Sequence, residues 1–169
     1  MSRSGIGSIV CPAGLESHRR FVVSLVSSGT RTVSNETYIG VQRFYAELVR
    51  ALDNDQFEEA AAMFTENGEL SHTPGRPAAR TRQGIVDDLI EHSRARRNSG
   101  EQRKHWFGHV RLSRVNDTVL AASAYVFVIG TKPGELPRLV VSGILHDVIV
   151  EQGDGFLLKS RTVVKDGAQ

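Results

Sequence analysis

VQRFYAELVRALDNDQFEEAAAMFTENGEL, residues 41–70, holds two apolar periods with a break between them. Val41, Phe44, Tyr45, Leu48 and Leu52 recur at three- and four-residue steps, which places them on one face of a helix. Ser34 or Asn35 upstream supplies a cap for it. Asp55 then opens a second helix, with Glu58 as its capping-box partner and Phe57, Ala60, Ala61 and Phe64 as its apolar stripe. Asn67-Gly68 is the stop signal for that helix.

Downstream, GELSHT reads as a short strand and TPGRP as a turn. A third helix is expected from about Gly84 to Arg97, burying Ile85, Val86, Leu89 and Ile90. The apolar period then changes to two. Strands are expected at 102–115, 118–131, 137–151 and 156–166, divided by Asn116-Asp117, Lys132-Pro133-Gly134 and Gly153-Asp154-Gly155. Helices followed by consecutive hairpins make an α+β order, in which a curved sheet can leave an apolar pocket under the helices. Upstream, residues 1–33 are rich in Ser, Gly and Arg without a sustained period, and are read as a mobile leader to a domain at 34–169.

A net charge of +2 gives no global field for nucleic acid, and the basic run at 94–104 is read as cations in a helix's last turn. No apolar run is long enough to span a bilayer, and FVVSLVSS lacks a signal peptide's flanks, so the cytoplasm is the expected location with no membrane partner. Cys11 is the single cysteine, and the histidines lack HxH or HExxH spacing, so neither a metal nor another cofactor is expected.

The stretch at 41–70, together with PGRPAARTRQGIVDDL, RKHWFGH, GILHD and GFLLKSRTVVKD, resembles the SnoaL-like branch of the nuclear-transport-factor-2-like (NTF2-like) superfamily over Ser34–Asp166. RKHWFGH is similar to an Arg-His-His…Asn signature and GILHD to Gly-x-Tyr-x-Asp. His109 stands at the asparagine and Leu145 at the tyrosine, so roles tied to those two positions do not carry over. The resemblance implies an NTF2-like cone, with three N-terminal helices packed on a curved, mostly antiparallel sheet. It also implies cofactor-independent acid–base chemistry on a hydrophobic small molecule: a cyclase, dehydratase or isomerase of polyketide or related secondary metabolism. The alternative is a noncatalytic small-molecule-binding or subunit-like member.

In relatives resembling ketosteroid isomerase the base lies eight residues past the phenylalanine that ends the second helix. From Phe64 that count reaches His72, and an imidazole can act as a base near neutral pH. Those relatives carry a catalytic tyrosine on the first helix, where this chain has Phe44 or Leu48 depending on the alignment, which counts against steroid isomerisation. Strand alternation puts His105, Phe107 and His109 on one face and Trp106 and Val110 on the other, and the resemblance favours His105 facing inward. His72, His105 and the phenol Tyr125 are the expected catalytic groups. Tyr45, Phe44, Phe64, Trp106, Phe107, Phe127 and His146 are the expected substrate-binding residues. His146 and Asp147 lie on opposite faces of one strand, and an Asp147 facing Arg161 would form a structural ion pair. Leu139, Val141 and Leu145 are expected on an outer sheet face that pairs two copies into a homodimer.

Overall fold

The computed structural model describes residues 32–167. The leader reading falls mostly on residues 1–31, outside the described residues; Val33, at the edge of that segment, packs against the main core. Helix α1 spans Asn35–Asp53, and the Ser34 hydroxyl accepts the Thr37 amide at 3.1 Å to cap it. Its buried face is Val41, Phe44, Tyr45, Leu48 and Ala51, following the expected period. Asp55, at φ 58°, turns the chain into the short helix α2, Phe57–Ala62.

Here the sequence expectation needs correction. Asp55 does not cap α2, whose N-cap residue is Gln56, and Phe64 belongs to strand β1, Phe64–Ser71, rather than to the helix. Asn67-Gly68 lies within that strand, where the pairing register shifts between Phe64 and Glu69. A side chain at position 68 would put its Cβ 2.8 Å from the Phe64 Cβ, so glycine is what lets the bulge close.

Strand β2, Ala79–Arg80, leads directly into helix α3, Thr81–Asn98, three residues earlier than the expected start. The Thr81 hydroxyl accepts the Gly84 amide at 3.3 Å and so satisfies one donor of the first turn. Four long strands follow: β3 at Gln102–Arg114, β4 at Val119–Thr131, β5 at Arg138–Gln152 and β6 at Gly155–Lys165. They match the expected strands to within a residue or two.

The sheet order is β2-β1-β6-β5-β4-β3, antiparallel throughout except where β1 runs parallel to β6. Register shifts at Gly108/Arg111, Val128/Ile129 and Val148/Ile149 add local bends, and the sheet curves around the helices. The main core lies between the helices and the inner face, built on residues such as Leu48, Ile85, Leu120, Ile149 and Leu158. This is the NTF2-like cone.

Candidate functional site

A cavity of about 130 Å³ opens between the helices and the concave face of the sheet. Leu48, Phe57 and Leu89 close it from the helices, and Phe64, Phe107 and Val126 from the sheet. Its polar lining is His72, His92, His105, Ser93, Arg96, Arg103, Arg161 and Lys165. Among the described residues no helix is long and apolar enough to cross a membrane.

His72 follows the end of β1, and its Nε2 lies 2.5 Å from Asp88 Oδ2 on α3. Both side chains are mostly buried, at 14% and 16% exposure, so little water competes for this bond. The edge-on ring of His92 sits 4.6 Å from the His72 ring, centroid to centroid. Lost solvation first, and then the neighbouring His72, lower the His92 pKa to about 4. His92 is therefore neutral at neutral pH.

His105 on β3 forms a second pair of the same kind. Asp53, the last residue of α1, takes the His105 backbone N–H at 3.1 Å and lies 2.8 Å from its ring Nδ1. One carboxylate thus fixes both the strand and the ring. With Nδ1–H donated to Asp53, Nε2 is the nitrogen left for chemistry.

At the cavity floor, where Arg161 contributes to the lining, Asp147 and Arg161 face one another across β5 and β6. Arg161 donates twice to Asp147, at 2.9 and 2.6 Å, and Tyr45 donates to the same carboxylate at 2.7 Å. The guanidinium also lies 4.8 Å from the Phe107 ring centroid. Burial, followed by the Asp147 charge, pushes the Tyr45 phenol pKa well above its ordinary value, so it stays a donor. Asp147 facing Arg161 is the arrangement for which the sequence implies a structural ion pair.

Besides Arg161, the lining holds Arg103, Lys165 and Arg96. Arg103 Nε bonds Glu101 at 2.9 Å, and Arg138 shares that carboxylate at 2.5 Å. The Lys165 side chain has no ion pair or hydrogen bond among the described residues, and burial followed by the nearby Arg103 charge lowers its pKa. Arg96, in the last turn of α3, is paired with Asp55.

Of the expected site residues, the structure brings His72, His105, Phe64 and Phe107 together around the cavity. Phe44 and Tyr45 are core residues, 7% and 3% exposed, that do not line it. Tyr125, Trp106 and Phe127 correct the expectation most sharply. They are 50%, 65% and 40% exposed on the outer sheet face, because Leu120, Ala122, Val126 and Val128 take the inward positions of β4. Tyr125 cannot reach the cavity.

His146 likewise faces away, since its neighbours Leu145 and Asp147 are the buried positions of β5. The expected outer trio is also corrected: Leu145 is fully buried and Val141 lines the cavity, leaving only Leu139 exposed. The bulge after Gly108 explains a further reversal. His109, at φ 52°, leaves the inner face and packs edge-on with Tyr125, while Val110 turns in to the core.

A model of the SnoaL-like domain matches residues 35–162. The chain belongs to the SnoaL-like family. Within the NTF2-like superfamily, this SnoaL-like protein is similar to ActVI-ORFA from Streptomyces coelicolor at 36% identity, over 80% of this chain and 99% of that one, with a TM-score of 0.74. It is similar to a Catenulispora acidiphila protein solved in complex with S-DNPA at 34% identity, over 79% and 96% of the two chains, with a TM-score of 0.70. A putative scytalone dehydratase from Novosphingobium aromaticivorans shares the fold at 19% identity, over 76% and 83%, with a TM-score of 0.65. A comparison with curated proteins finds no match.

Sequence reasoning missed Asp53, Asp88, His92, Arg103 and Lys165 as parts of the site. In the sequence Asp87 and Asp88 read as solvated residues or as first-turn partners of the helix dipole. The signal available for Asp88 was that its helix also carries Ile85 and Leu89, so position 88 lies close to the inward face.

Proposed function

We propose that this SnoaL-like protein is a cofactor-independent acid–base enzyme acting on a hydrophobic small molecule in polyketide or related secondary metabolism. The observation that carries the reading is the convergence of two histidine–carboxylate pairs, His72–Asp88 and His105–Asp53, on one apolar cavity. A cavity built only to hold a ligand has no need of two oriented imidazoles. The similarity to ActVI-ORFA and to a relative captured with a small molecule supports the substrate class.

In the proposed reaction His72 takes a proton from the carbon next to a substrate carbonyl, and Asp88 stabilises the resulting imidazolium. His105, protonated and held by Asp53, gives the proton on Nε2 to a substrate oxygen. If that oxygen is a β-hydroxyl, the C–O bond breaks and water leaves, giving a dehydration. If it is the carbonyl oxygen, an enol forms, and its later reprotonation or ring closure gives isomerisation or cyclisation. Exchange with solvent through the cavity mouth resets both rings. The apolar walls position the substrate and keep its carbonyl out of bulk water.

The test uses solvent-deuterium uptake next to the carbonyl of an aromatic β-hydroxy ketone, followed by NMR. His72→Gln and His105→Gln are each expected to slow uptake by roughly 10²–10⁴-fold, with thermal midpoints near that of the parent. Uptake retained in both variants would refute the assignment.

We also infer a cytoplasmic homodimer. Trp106, Tyr125, Phe127, Leu139 and Ile144 put apolar surface on the outer sheet face, where a second copy would cover it.

A further inference from the structure

We propose that His72 has a second way to lose a proton, through Asp88 into an open groove outside the cavity, so that the base is neutralised while substrate still fills the cavity. The inference deepens the proposed function and rests on its reading of His72 as the base.

Among the described residues, His72 lines the inner cavity and Asp88 does not. Asp88 instead lines a separate open groove of about 350 Å³, between α3 and the loop that joins β1 to β2. Gly84, Asp87 and Glu91 form its helix side and Arg76 its loop side. Arg76 donates to Glu91 at 3.1 Å and lies close enough to Asp88 to feel its charge. The 2.5 Å bond between His72 Nε2 and Asp88 Oδ2 therefore joins two separate spaces.

The other pair is built differently. Asp53 is the less exposed of the two carboxylates, and it holds the backbone N–H of His105 as well as its ring. It lines neither the groove nor the cavity. A general acid has to keep its proton until the substrate takes it, whereas a base has to pass its proton on. The closed pair suits the acid and the pair that opens on the groove suits the base.

The protons balance as follows. With Nε2–H donated to Asp88, Nδ1 is the nitrogen that takes the proton from the substrate carbon, and the C–H electron pair stays behind as the enolate. The imidazolium passes its Nε2 proton to Asp88, and the Asp88 carboxyl passes it to water in the groove. The ring is then neutral, with its one proton on Nδ1. A neutral imidazole N–H is a far weaker acid than an imidazolium, so return of the proton to carbon is suppressed. Once product has left, Nδ1 gives up its proton through the cavity mouth and Nε2 takes one back from the groove side, which restores the starting ring.

The test follows exchange of the His72 Nε2 proton with water, by NMR of the full chain carrying nitrogen-labelled histidine. The signal is assigned by its loss in His72→Gln, and the cavity is filled with 2-acetonaphthone, whose seating is read from the His105 ring. The groove is blocked from position 84, where an added Cβ meets just the Thr81 hydroxyl, at 3.6 Å. A side chain there neighbours the one at 88, a turn further on. In the parent, exchange should be nearly as fast with the ketone bound as without it. Gly84→Leu and Gly84→Met should slow it several-fold in both states, while Gly84→Ala should leave it unchanged. None of the three should melt below the parent, because each replaces a glycine inside a helix.

Exchange in the parent that stops when the ketone binds would overturn the inference, because the mouth would then be the sole route, and the acid–base reading would stand. Exchange as fast in the folded Gly84→Leu and Gly84→Met chains as in the parent would overturn it too. If the ketone leaves the His105 ring unshifted, the small-molecule reading is what loses support. The ligand-free comparison of the parent with the blocked chains then decides the route by itself.

Discussion

Replacing Asp147 with Asn tests whether the triad at the cavity floor is structural. Asp147 and Arg161 are 0% and 4% exposed, so neither charge reaches water. In Asp147→Asn the guanidinium keeps neighbours of the right shape but loses its counter-charge. Breaking a buried pair from one side costs about 3–5 kcal/mol. For a chain of this size each kcal/mol moves the midpoint by about 2–4 °C, so the variant should melt roughly 6–20 °C below the parent. Differential scanning calorimetry reads this directly. A triple variant, Tyr45→Phe/Asp147→Leu/Arg161→Met, removes every polar member of the triad together and should recover to within about 2 kcal/mol of the parent, because apolar replacement of a whole buried pair is often neutral or better. It should also keep deuterium exchange, since this group holds β5 to β6 and anchors α1 rather than moving protons. A single variant within about 1 kcal/mol of the parent, or a triple variant no more stable than the single, would refute the structural assignment.

The outer-face aromatics give a second expectation: Trp106→Glu should convert a homodimer at micromolar concentration to monomer in light scattering, and a parent that is already monomeric rules the interface out. His92 gives a third. Its pKa of about 4 in the folded chain lies below the ordinary 6.5, so between those values the unfolded chain binds a proton the folded chain does not. Stability should therefore fall as pH drops from 6.5 towards 4, and more steeply for the parent than for His92→Gln; parallel melting curves for the two proteins would count against it.

Much of the fold was legible because the two kinds of period are cleanly separated. Phe107, Val126 and Val163 lie in β-branched and aromatic stretches bounded by Asn-Asp, Pro-Gly or Gly-Asp-Gly turns, and the strands begin and end within a residue or two of where those signals say. The α2–β1 junction failed for a specific reason. Phe64 continues the helical spacing of Phe57 and Ala60–Ala61, yet its partner is Leu158 on β6, a pairing no local pattern reveals. At His109 one extra residue in β3 reversed the alternation beyond Gly108. Bulges are set by the curvature the whole sheet must adopt, so they are read from the fold and not from the strand.

The candidate site was half legible, and what was missed includes both carboxylates that hold its histidines. His72 and His105 could be picked out through the family resemblance, His72 by the count of eight from Phe64 and His105 within RKHWFGH. Asp53 and Asp88 carry no such mark, since each sits on a helix where an exposed acid is unremarkable. Their role exists only through the partner, which lies 52 residues away for Asp53 and 16 for Asp88. In both pairs the carboxylate comes from a helix, while His105 lies in β3 and His72 just past the end of β1, so each pair also ties the two layers together at the cavity. The arrangement has a consequence for mutagenesis. Removing a ring with alanine loosens that tie as well as the proton acceptor, whereas Asp53→Asn or Asp88→Asn keeps an oxygen to accept the ring N–H and removes only the charge. If the carboxylates matter for charge, the asparagine variants should hold the parent's midpoint and still lose exchange activity. If they serve only as ties, the same variants should keep both.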